Sequence, residues 1–280
     1  MSSTPESVWH TARRLVVKVG GAILDSQDAR EAFAASVSAA QARGQSVVVI
    51  HGGGAQVSRL TDALGLPAKR VRGLRVTDEP TALAAVQVLR GQVNAELTAA
   101  LVAQGVTALG LSGIDAGLFE VRQLDPELGQ VGEVVRVNAK VLKVLLSHGF
   151  TPVIATMAAK GGAFYNVNAD AAVAPVAAAM QADAVLFLSD VSHVLDGKEP
   201  IFELSPPSAR GLMDSGVIQG GMIPKVEAAL DAARALTGSL VRMASGLTED
   251  PISNALSDPS HGTTFIDAGI TGADMETTHA

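Results

Sequence analysis

The fold is decided by the stretch Leu15-Val16-Val17-Lys18-Val19-Gly20-Gly21, an apolar strand that runs into two glycines. The pattern recurs farther along the chain in Val47-Val48-Val49-Ile50-His51-Gly52-Gly53-Gly54. Consecutive glycines expose backbone N–H groups with no side chain in front of them, which allows close approach to a phosphate or another anion. Neither turn fits G-x-x-x-x-G-K-[ST] or G-x-G-x-x-G. The two turns therefore indicate a phosphate site of a different architecture.

The composition predicts an α/β fold. Hydrophobic residues make up 48% of the 280 residues but aromatic residues only 3%, so the core must consist of Ala, Val, Leu and Ile. Such a core is typical of buried parallel strands between Ala-rich helices. Because strand and helix patterns alternate almost throughout, we expect a three-layer αβα sandwich around one continuous, mostly parallel sheet.

Charge and residue types argue against several classes of function. The net charge is −7 without a basic cluster, which disfavours a nucleic acid or an anionic membrane as partner. Cysteine is absent and the six histidines follow no metal-binding spacing, so we expect no metal site made by protein ligands. The N-terminal segment is polar, and the apolar runs are too short to span a bilayer. A cytoplasmic protein is the resulting expectation.

Some elements are predicted individually. A long helix is expected over Thr81–Gln104 and an Ala-rich helix over Ala169–Gln181. The pieces Leu118–Arg122 and Glu133–Val137 are expected to form a hairpin at the edge of the sheet, where it could cover a site. The polar tail 269–280 is expected to be disordered.

Two lysines beside glycine turns are candidate phosphate ligands. Lys18 stands at the end of a strand, where a lone lysine commonly extends into solvent, but an anion at Gly20-Gly21 would give its charge a purpose. Gly220-Gly221-Met222-Ile223-Pro224-Lys225, taken alone, fits a glycine turn before a helix with a solvated lysine. Together with Lys18 and the glycine turns, it favours a second phosphate-binding lysine.

The segment Asn166-Val167-Asn168-Ala169-Asp170 carries two amides at a spacing of two, which puts both on one side of an extended chain. The same residues fit the start of a helix, with an N-cap and an acidic first turn. A ligand on the amide side would meet both side chains. Asp170 could then hold the two lysines by ion pairing.

Arg75 and His51 are two further polar residues near the glycine motifs. Arg75, in Gly73-Leu74-Arg75-Val76-Thr77-Asp78, is either a solvated loop residue or a bidentate ligand for a carboxylate, and its spacing does not decide between them. His51 is expected to be a hydrogen-bonded turn residue and not a base.

Taken together, these motifs resemble the amino acid kinase family over nearly the whole chain, from Leu15 to Ile266. The landmarks, in order, are Lys18-Val19-Gly20-Gly21, His51-Gly52-Gly53-Gly54, Gly73-Leu74-Arg75-Val76-Thr77, Gly91-Gln92-Val93-Asn94, Asn166-Val167-Asn168-Ala169-Asp170, Leu188-Ser189-Asp190-Val191 and Gly221-Met222-Ile223-Pro224-Lys225. The third and fifth landmarks resemble in particular the branch that phosphorylates the γ-carboxylate of N-acetyl-L-glutamate in arginine biosynthesis.

The resemblance implies roles for the landmark residues. Lys18 and Lys225 would flank the transferring phosphoryl group as catalytic residues, and Asp170 would orient both. The acyl amino acid would be bound by Gly53, Gly54, Arg75 and Asn166, with Arg75 on its α-carboxylate. Backbone N–H groups of Gly20, Gly21 and Gly53 would donate to phosphate oxygens. The rest of the nucleotide site would comprise Asp190, Val191, Ser192, His193, Val194, Leu195, Val217, Ile218, Gln219 and Met222.

The resemblance also implies ATP with Mg²⁺ as co-substrate, with the metal arriving on the nucleotide. It implies an N-terminal lobe, residues 1–178, for acyl amino acid binding and dimerisation, and an ATP-binding lobe, residues 179–268. Arginine-inhibited members carry a longer N-terminal helix that builds a hexamer. From the short segment before the first strand we expect a homodimer without arginine feedback.

Two other functions stay open. A related kinase acts on carrier-protein-linked α-aminoadipate or glutamate; Leu111-Ser112-Gly113-Ile114-Asp115 resembles that branch, whereas the acidity of the chain argues against it. A non-catalytic amino acid sensor on the same fold would not need both lysines and Asp170. The chain departs from the family pattern at His193 and over Thr156–Lys160, so no contact is carried over to the latter segment.

Overall fold

Apolar strands occupy the centre of the fold, and helices pack on both faces of them. The computed structural model describes residues 11–66 and 68–267, so the predicted disordered tail 269–280 lies outside the described residues. The strands are β1 (Arg14–Val19), β2 (Ser46–His51), β3 (Arg70–Val71), β4 (Leu74–Arg75), β5 (Ala108–Ser112), β6 (Phe119–Gln123), β7 (Val131–Val137), β8 (Thr151–Ala155), β9 (Met157–Lys160), β10 (Ala163–Val167), β11 (Ala184–Ser189), β12 (Val194–Asp196), β13 (Glu199–Ile201), β14 (Glu203–Leu204), β15 (Leu240–Ser245) and β16 (Thr263–Phe265). The α-helices are α1 (Gly21–Asp25), α2 (Gln27–Ala42), α3 (Gly54–Ala63), α4 (Glu79–Val86), α5 (Asn94–Ala103), α6 (Ala139–Ser147), α7 (Val173–Met180), α8 (Pro206–Asp214), α9 (Met222–Ala235) and α10 (Pro251–Ser257).

The main sheet has eight strands in the order β14-β16-β15-β11-β1-β2-β8-β5. Strands from β15 to β5 pair in parallel, whereas β16 runs antiparallel to β15. Residues of β1 alternate between two cores: Val16 packs in the core that contains Val226 of α9, and Val17 in the core that contains Phe33 of α2. The predicted three-layer α/β arrangement is confirmed.

The register of the central strands brings the two glycine turns together. Val19, the last residue of β1, lies opposite His51 at the end of β2 and opposite Leu188 near the end of β11. Parallel strands open a crevice at their carboxyl ends, where ligands of α/β proteins commonly bind. Both glycine turns and the segment after β11 therefore lie at one edge of the sheet.

A second sheet, in the order β6-β7-β10-β9, stands apart from the main one. The predicted hairpin exists as the antiparallel pair β6–β7, but its expected position at the edge of the main sheet is wrong. β7 instead pairs in parallel with β10, where Val131 lies opposite Asn166. Gly161 and Gly162, with φ of 58° and 84°, turn β9 into β10 and allow this pairing.

The long helix predicted over Thr81–Gln104 is continuous but not uniform. It consists of α4, a π-helical segment over Gln87–Val93, and α5. The predicted helix over Ala169–Gln181 starts later, at Val173, because the preceding residues form turns. The proposed lobe boundary after residue 178 falls inside α7, and the two-lobe division stays a prediction. In the part of the chain that is described, no helix could cross a bilayer.

Candidate active site

A cavity of about 360 Å³ lies at the carboxyl ends of β1 and β2. Nine of the predicted site residues line it: Lys18, Gly20, Gly21, Gly53, Gly54, Arg75, Asn166, Asp170 and Lys225. These residues come from five separate parts of the chain. The structure therefore gathers the predicted catalytic and acyl amino acid residues around one space.

Two lysines and one aspartate form the charged centre of the cavity. Lys18 is only 6% exposed, and its Nζ lies 2.7 Å from Oδ1 of Asp170. Burial lowers the pKa of Lys225, and the nearby Lys18 lowers it further, while Asp170 and Asp190 oppose the shift. Lys18 is thus close enough to disfavour the charge of Lys225, and an anion between the two lysines would relieve that repulsion.

The charge of the lining is strongly positive. Its charged side chains are Lys18, Arg70, Arg75 and Lys225 against a single carboxylate, Asp170. Asp170 is already paired with Lys18. Such a lining concentrates anions and disfavours cationic ligands. Arg70 is not among the predicted site residues, and its closeness in sequence to Arg72, Gly73 and Arg75 was the available signal.

The glycine turn after β2 is required by close packing. Gly53 has φ of 153°, and a Cβ atom there would lie 2.7 Å from Leu89 of the π-helical segment. Gly53 also precedes α3, whose N-terminus has no side-chain cap. The first N–H groups of a helix carry a partial positive charge and favour anions. This end of α3 adds to the positive character of the cavity.

In the glycine turn after β1, the N–H of Gly20 does not point to the cavity as a free donor. The Gly20 N–H donates to the carbonyl oxygen of Leu188 at 2.8 Å, which ties the end of β1 to β11. A Cβ at Gly20 would lie 3.0 Å from the same oxygen. The Gly20 N–H is therefore already engaged within the protein. In this turn, the Gly21 N–H is the remaining candidate donor to a phosphate.

Arg75 lies on β4 and is buried, with 8% of its surface exposed. Its Nη2 donates to the carbonyl oxygen of Gly54 at 3.1 Å and to Oγ of Ser58 at 2.5 Å. Burial lowers its pKa, and so does the neighbouring Arg70. Among the described residues no carboxylate forms an ion pair with Arg75, and no hydrogen bond engages its Nε or Nη1, so these two groups can bind the carboxylate of a ligand.

Asn166 and Asn168 both line the cavity, and so does Val167 between them. Oδ1 of Asn168 accepts a hydrogen bond from the N–H of Asp170 at 2.9 Å, so this amide fixes the turn before α7. Asn166 lies in β10 and reaches the cavity through the pairing of β10 with β7. The segment thus combines a ligand-facing amide with a structural one.

The predicted nucleotide residues beyond Gly21 do not line this cavity. Asp190 lies near Lys225, which places the loop after β11 beside the lysines of the cavity. Nε2 of His193 lies 3.0 Å from the carbonyl oxygen of Ser260. Val194 and Ile218 are buried in the core at 1% and 2% exposure. Val191, Ser192, Leu195, Val217, Gln219 and Met222 lie on the same two segments, and their contact with a nucleotide stays a prediction.

Comparisons with known proteins agree on one family. The model of the amino acid kinase family matches residues 13–241. Acetylglutamate kinase of Solibacter usitatus is 40% identical over 257 residues, covering 91% of this chain and all of that protein. Acetylglutamate kinase of Rubrobacter xylanophilus is 41% identical over 251 residues, covering 90% and 96%.

Solved structures share the fold. The protein smu.665 of Streptococcus mutans UA159 superposes with a TM-score of 0.78 at 27% identity, covering 90% of this chain and 98% of that one. N-acetylglutamate synthase of Neisseria gonorrhoeae, at 22% identity, superposes with a TM-score of 0.76 and covers 91% of this chain and 59% of that one.

Proposed function

The chain belongs to the amino acid kinase family, and we propose that it transfers the γ-phosphoryl group of ATP to the γ-carboxylate of N-acetyl-L-glutamate. The product is N-acetylglutamyl 5-phosphate, the second intermediate of arginine biosynthesis. The observation that carries the proposal is the cavity in which Lys18, Lys225 and Arg75 face one space beside two glycine turns. The similarity to acetylglutamate kinases over about nine-tenths of the chain supports the choice of acceptor.

The reaction requires no general base. A γ-carboxylate has a pKa of about 4.3 and is already ionised at neutral pH. One of its oxygens attacks the γ-phosphorus, the bond from phosphorus to the bridging oxygen of ADP breaks, and ADP leaves with that electron pair. Because two anions must meet in line, positioning and charge neutralisation supply most of the rate.

The cavity provides both of these contributions. Lys18 and Lys225 neutralise the charge of the transferring group, and Asp170 keeps Lys18 in place at 2.7 Å. The Gly53 N–H and the start of α3 favour negative charge at the same location. Arg75 holds the α-carboxylate, and Asn166 contacts the acyl amino acid, so that the γ-carboxylate points to the phosphorus.

Mg²⁺ enters as part of the nucleotide substrate. In the cavity Asp170 is already paired with Lys18. Mg²⁺ usually keeps several waters and binds through substrate phosphates and one or two carboxylates. We therefore assign the metal to the phosphates of ATP, where it lowers their negative charge. The nucleotide itself would lie against Asp190–Leu195 and Val217–Gln219 with Met222, in the lobe of residues 179–268.

The assembly that we propose is a cytoplasmic homodimer formed by the lobe of residues 1–178. β5 ends the main sheet, and Leu109 on this strand is 40% exposed. Val102, on the adjacent α5, is 54% exposed. An open edge strand with exposed apolar side chains is a surface that a second copy can cover.

One assay separates this function from its rivals. Purified protein is incubated with ATP, Mg²⁺ and hydroxylamine, which converts an acyl phosphate to a hydroxamate. The parallel acceptors are N-acetylglutamate, glutamate, free α-aminoadipate and carrier-protein-linked α-aminoadipate. We expect hydroxamate with N-acetylglutamate and little with the others. Product only with carrier-linked α-aminoadipate would support the related kinase, and no product with any acceptor would support a sensor. Either outcome would overturn the proposal.

A further inference from the structure

His51, at the end of β2, is completely buried and bridges two parts of the fold. Its Nδ1 lies 2.8 Å from the carbonyl oxygen of Gly52, and its Nε2 lies 2.9 Å from Nδ2 of Asn94. Asn94 belongs to Gly91-Gln92-Val93-Asn94, a landmark with no role in the reaction described above. The contact therefore links an unexplained motif to the glycine turn of the cavity.

The partners of His51 fix its protonation pattern. A carbonyl oxygen only accepts hydrogen bonds, so Nδ1 must carry the proton that it donates to Gly52. An amide nitrogen only donates, so Nε2 must be unprotonated and accept from Asn94. The same Nδ2 donates to the carbonyl oxygen of Val153 at 2.8 Å, which determines how the amide of Asn94 is oriented. Burial lowers the pKa of His51 to about 4, so the ring is neutral at physiological pH.

The hydrogen bond to Gly52 restrains the peptide between Gly52 and Gly53. A trans peptide is planar, and its C=O and N–H point in opposite directions. When the imidazole holds the carbonyl on one side, the Gly53 N–H is directed to the other side, towards the cavity that Gly53 lines. Glycine peptides rotate more freely than others, so this restraint removes conformations that the sequence would otherwise permit.

The π-helical segment over Gln87–Val93 places Asn94 for this task. π-helical turns often occur at functional sites, because the inserted residue redirects the side chains that follow. Leu89 of the segment packs against Gly53, and Asn94 directly follows the segment. Gly110 on β5 leaves room for Asn94, since a Cβ there would lie 2.1 Å from its Oδ1. The π-helical segment and the residue after it thus support the glycine turn at two points, through Leu89 at Gly53 and through Asn94 at His51.

We propose that Asn94 and His51 are a pair of positioning residues that lock the Gly52–Gly53 peptide with its N–H directed at the transferring phosphoryl group. The proposal rests on the phosphoryl transfer assigned to this cavity. Neither side chain lines the cavity, so both act through the backbone of the glycine turn and not on the substrate.

The first test reads the tautomer directly. Nitrogen NMR of the full chain with isotope-labelled histidine should show His51 neutral at pH 7, with the proton on Nδ1. In Asn94→Ala the Nε2 partner is lost, and we expect a mixture of tautomers together with a broadened Gly53 amide signal. A wild-type ring protonated on Nε2, or on both nitrogens, would overturn the proposal. This result does not depend on which acceptor the enzyme uses.

The second test separates the donor to Gly52 from the packing of the ring. In His51→Asn the side-chain amide nitrogen can occupy the position of Nδ1 and keep the hydrogen bond to Gly52. In His51→Leu a side chain still fills the space, but the hydrogen-bond donor is lost. Removal of one hydrogen-bond donor aimed at developing charge typically lowers kcat by about a hundredfold or more, and a misdirected Gly53 N–H is lost to the reaction in the same way. We expect a loss of that size in His51→Leu, with KM for ATP little changed, and recovery of most of the rate in His51→Asn.

Matched variants of the landmark complete the design. Asn94→Ala should lower kcat in the same manner as His51→Leu. Gln92→Ala should keep wild-type kcat, because Gln92 is exposed and its amide donates a hydrogen bond to Glu96 at 3.0 Å, one turn along the same helix. Equal losses in His51→Leu and His51→Asn, at unchanged circular dichroism, would contradict the role of the hydrogen bond. If the wild-type chain phosphorylated none of the acceptors, the proposed function would fail, and the NMR test would still decide the positioning.

Discussion

Among single residues, Lys225 is central to the proposed phosphoryl transfer, because it supplies the second positive charge beside Lys18. Replacing it by alanine should lower kcat at least a hundredfold, because removal of one charge-stabilising donor typically costs about two orders of magnitude or more. Steady-state rates with N-acetylglutamate and ATP measure the loss. Lys143→Ala, on the exposed face of α6, is the matched control and should leave kcat unchanged. A loss below about tenfold in a folded Lys225→Ala protein would contradict the role.

The ionisation of Lys225 makes a separate prediction about pH. Burial and the charge of Lys18 lower its pKa from the ordinary value of 10.5. Since the protonated form is the useful one, activity should be full below the lowered pKa and should decline as the pH rises through it. We expect kcat/KM to fall on the alkaline side at a pH below 10.5. In Lys225→Arg this decline should disappear, because a guanidinium stays charged; persistence of the same decline would exclude Lys225 as its source.

Arg75 tests the acceptor half of the cavity. Its side chain is buried and has no carboxylate partner among the described residues, so its removal should act on substrate binding. In Arg75→Ala we expect KM for N-acetylglutamate to rise far more than KM for ATP. Arg72→Ala is the control, because Arg72 is exposed on the same hairpin and pairs with Asp125. Equal effects of Arg75→Ala on both KM values would refute the assignment.

At the scale of elements, the turn after β2 links the cavity to the stability of the fold. The pKa of His51 is lowered from 6.5 to about 4 by burial. The folded state therefore binds fewer protons than the unfolded state, and stability is lost as the pH falls from 6.5 towards 4. The linked loss is on the order of 3 kcal/mol.

Urea unfolding of the wild type and of His51→Asn at several pH values tests this linkage. Carboxylates titrate in the same range, so the difference between the two proteins is the informative quantity. The wild type should lose more unfolding free energy than His51→Asn over that interval. Parallel losses in both proteins would show that His51 is not the group responsible.

The elements also show what sequence can and cannot predict. The location of both glycine turns at one edge of the sheet follows from local patterns, because the carboxyl ends of parallel strands lie at the same edge. The pairing of β7 with β10 does not follow, because Val131 and Asn166 are far apart in the chain and the Ala- and Gly-rich β9–β10 hairpin has a weak strand pattern. Likewise, the engagement of the Gly20 N–H by Leu188 depends on strand order in space.

For the whole molecule, the order of strands explains how distant residues become one site. β11 lies next to β1, so the segment that follows β11 reaches the Lys18 side of the crevice, and α9 brings Lys225 to the same place. From residue spacing alone, Arg75 and Lys225 could each be either a solvated surface residue or a ligand-binding residue. The family resemblance implies a binding role for each, and both residues line the cavity.

The central claim is that the γ-carboxylate of the acceptor attacks the phosphorus of ATP. N-acetylglutamate labelled with a heavy oxygen isotope only in its γ-carboxylate tests this claim most directly. Hydroxylamine attacks the acyl carbon of the product and releases phosphate that retains the bridging oxygen. We expect one heavy oxygen in each phosphate released, measured by phosphorus NMR. Unlabelled phosphate, formed at the same rate as the hydroxamate, would contradict this claim.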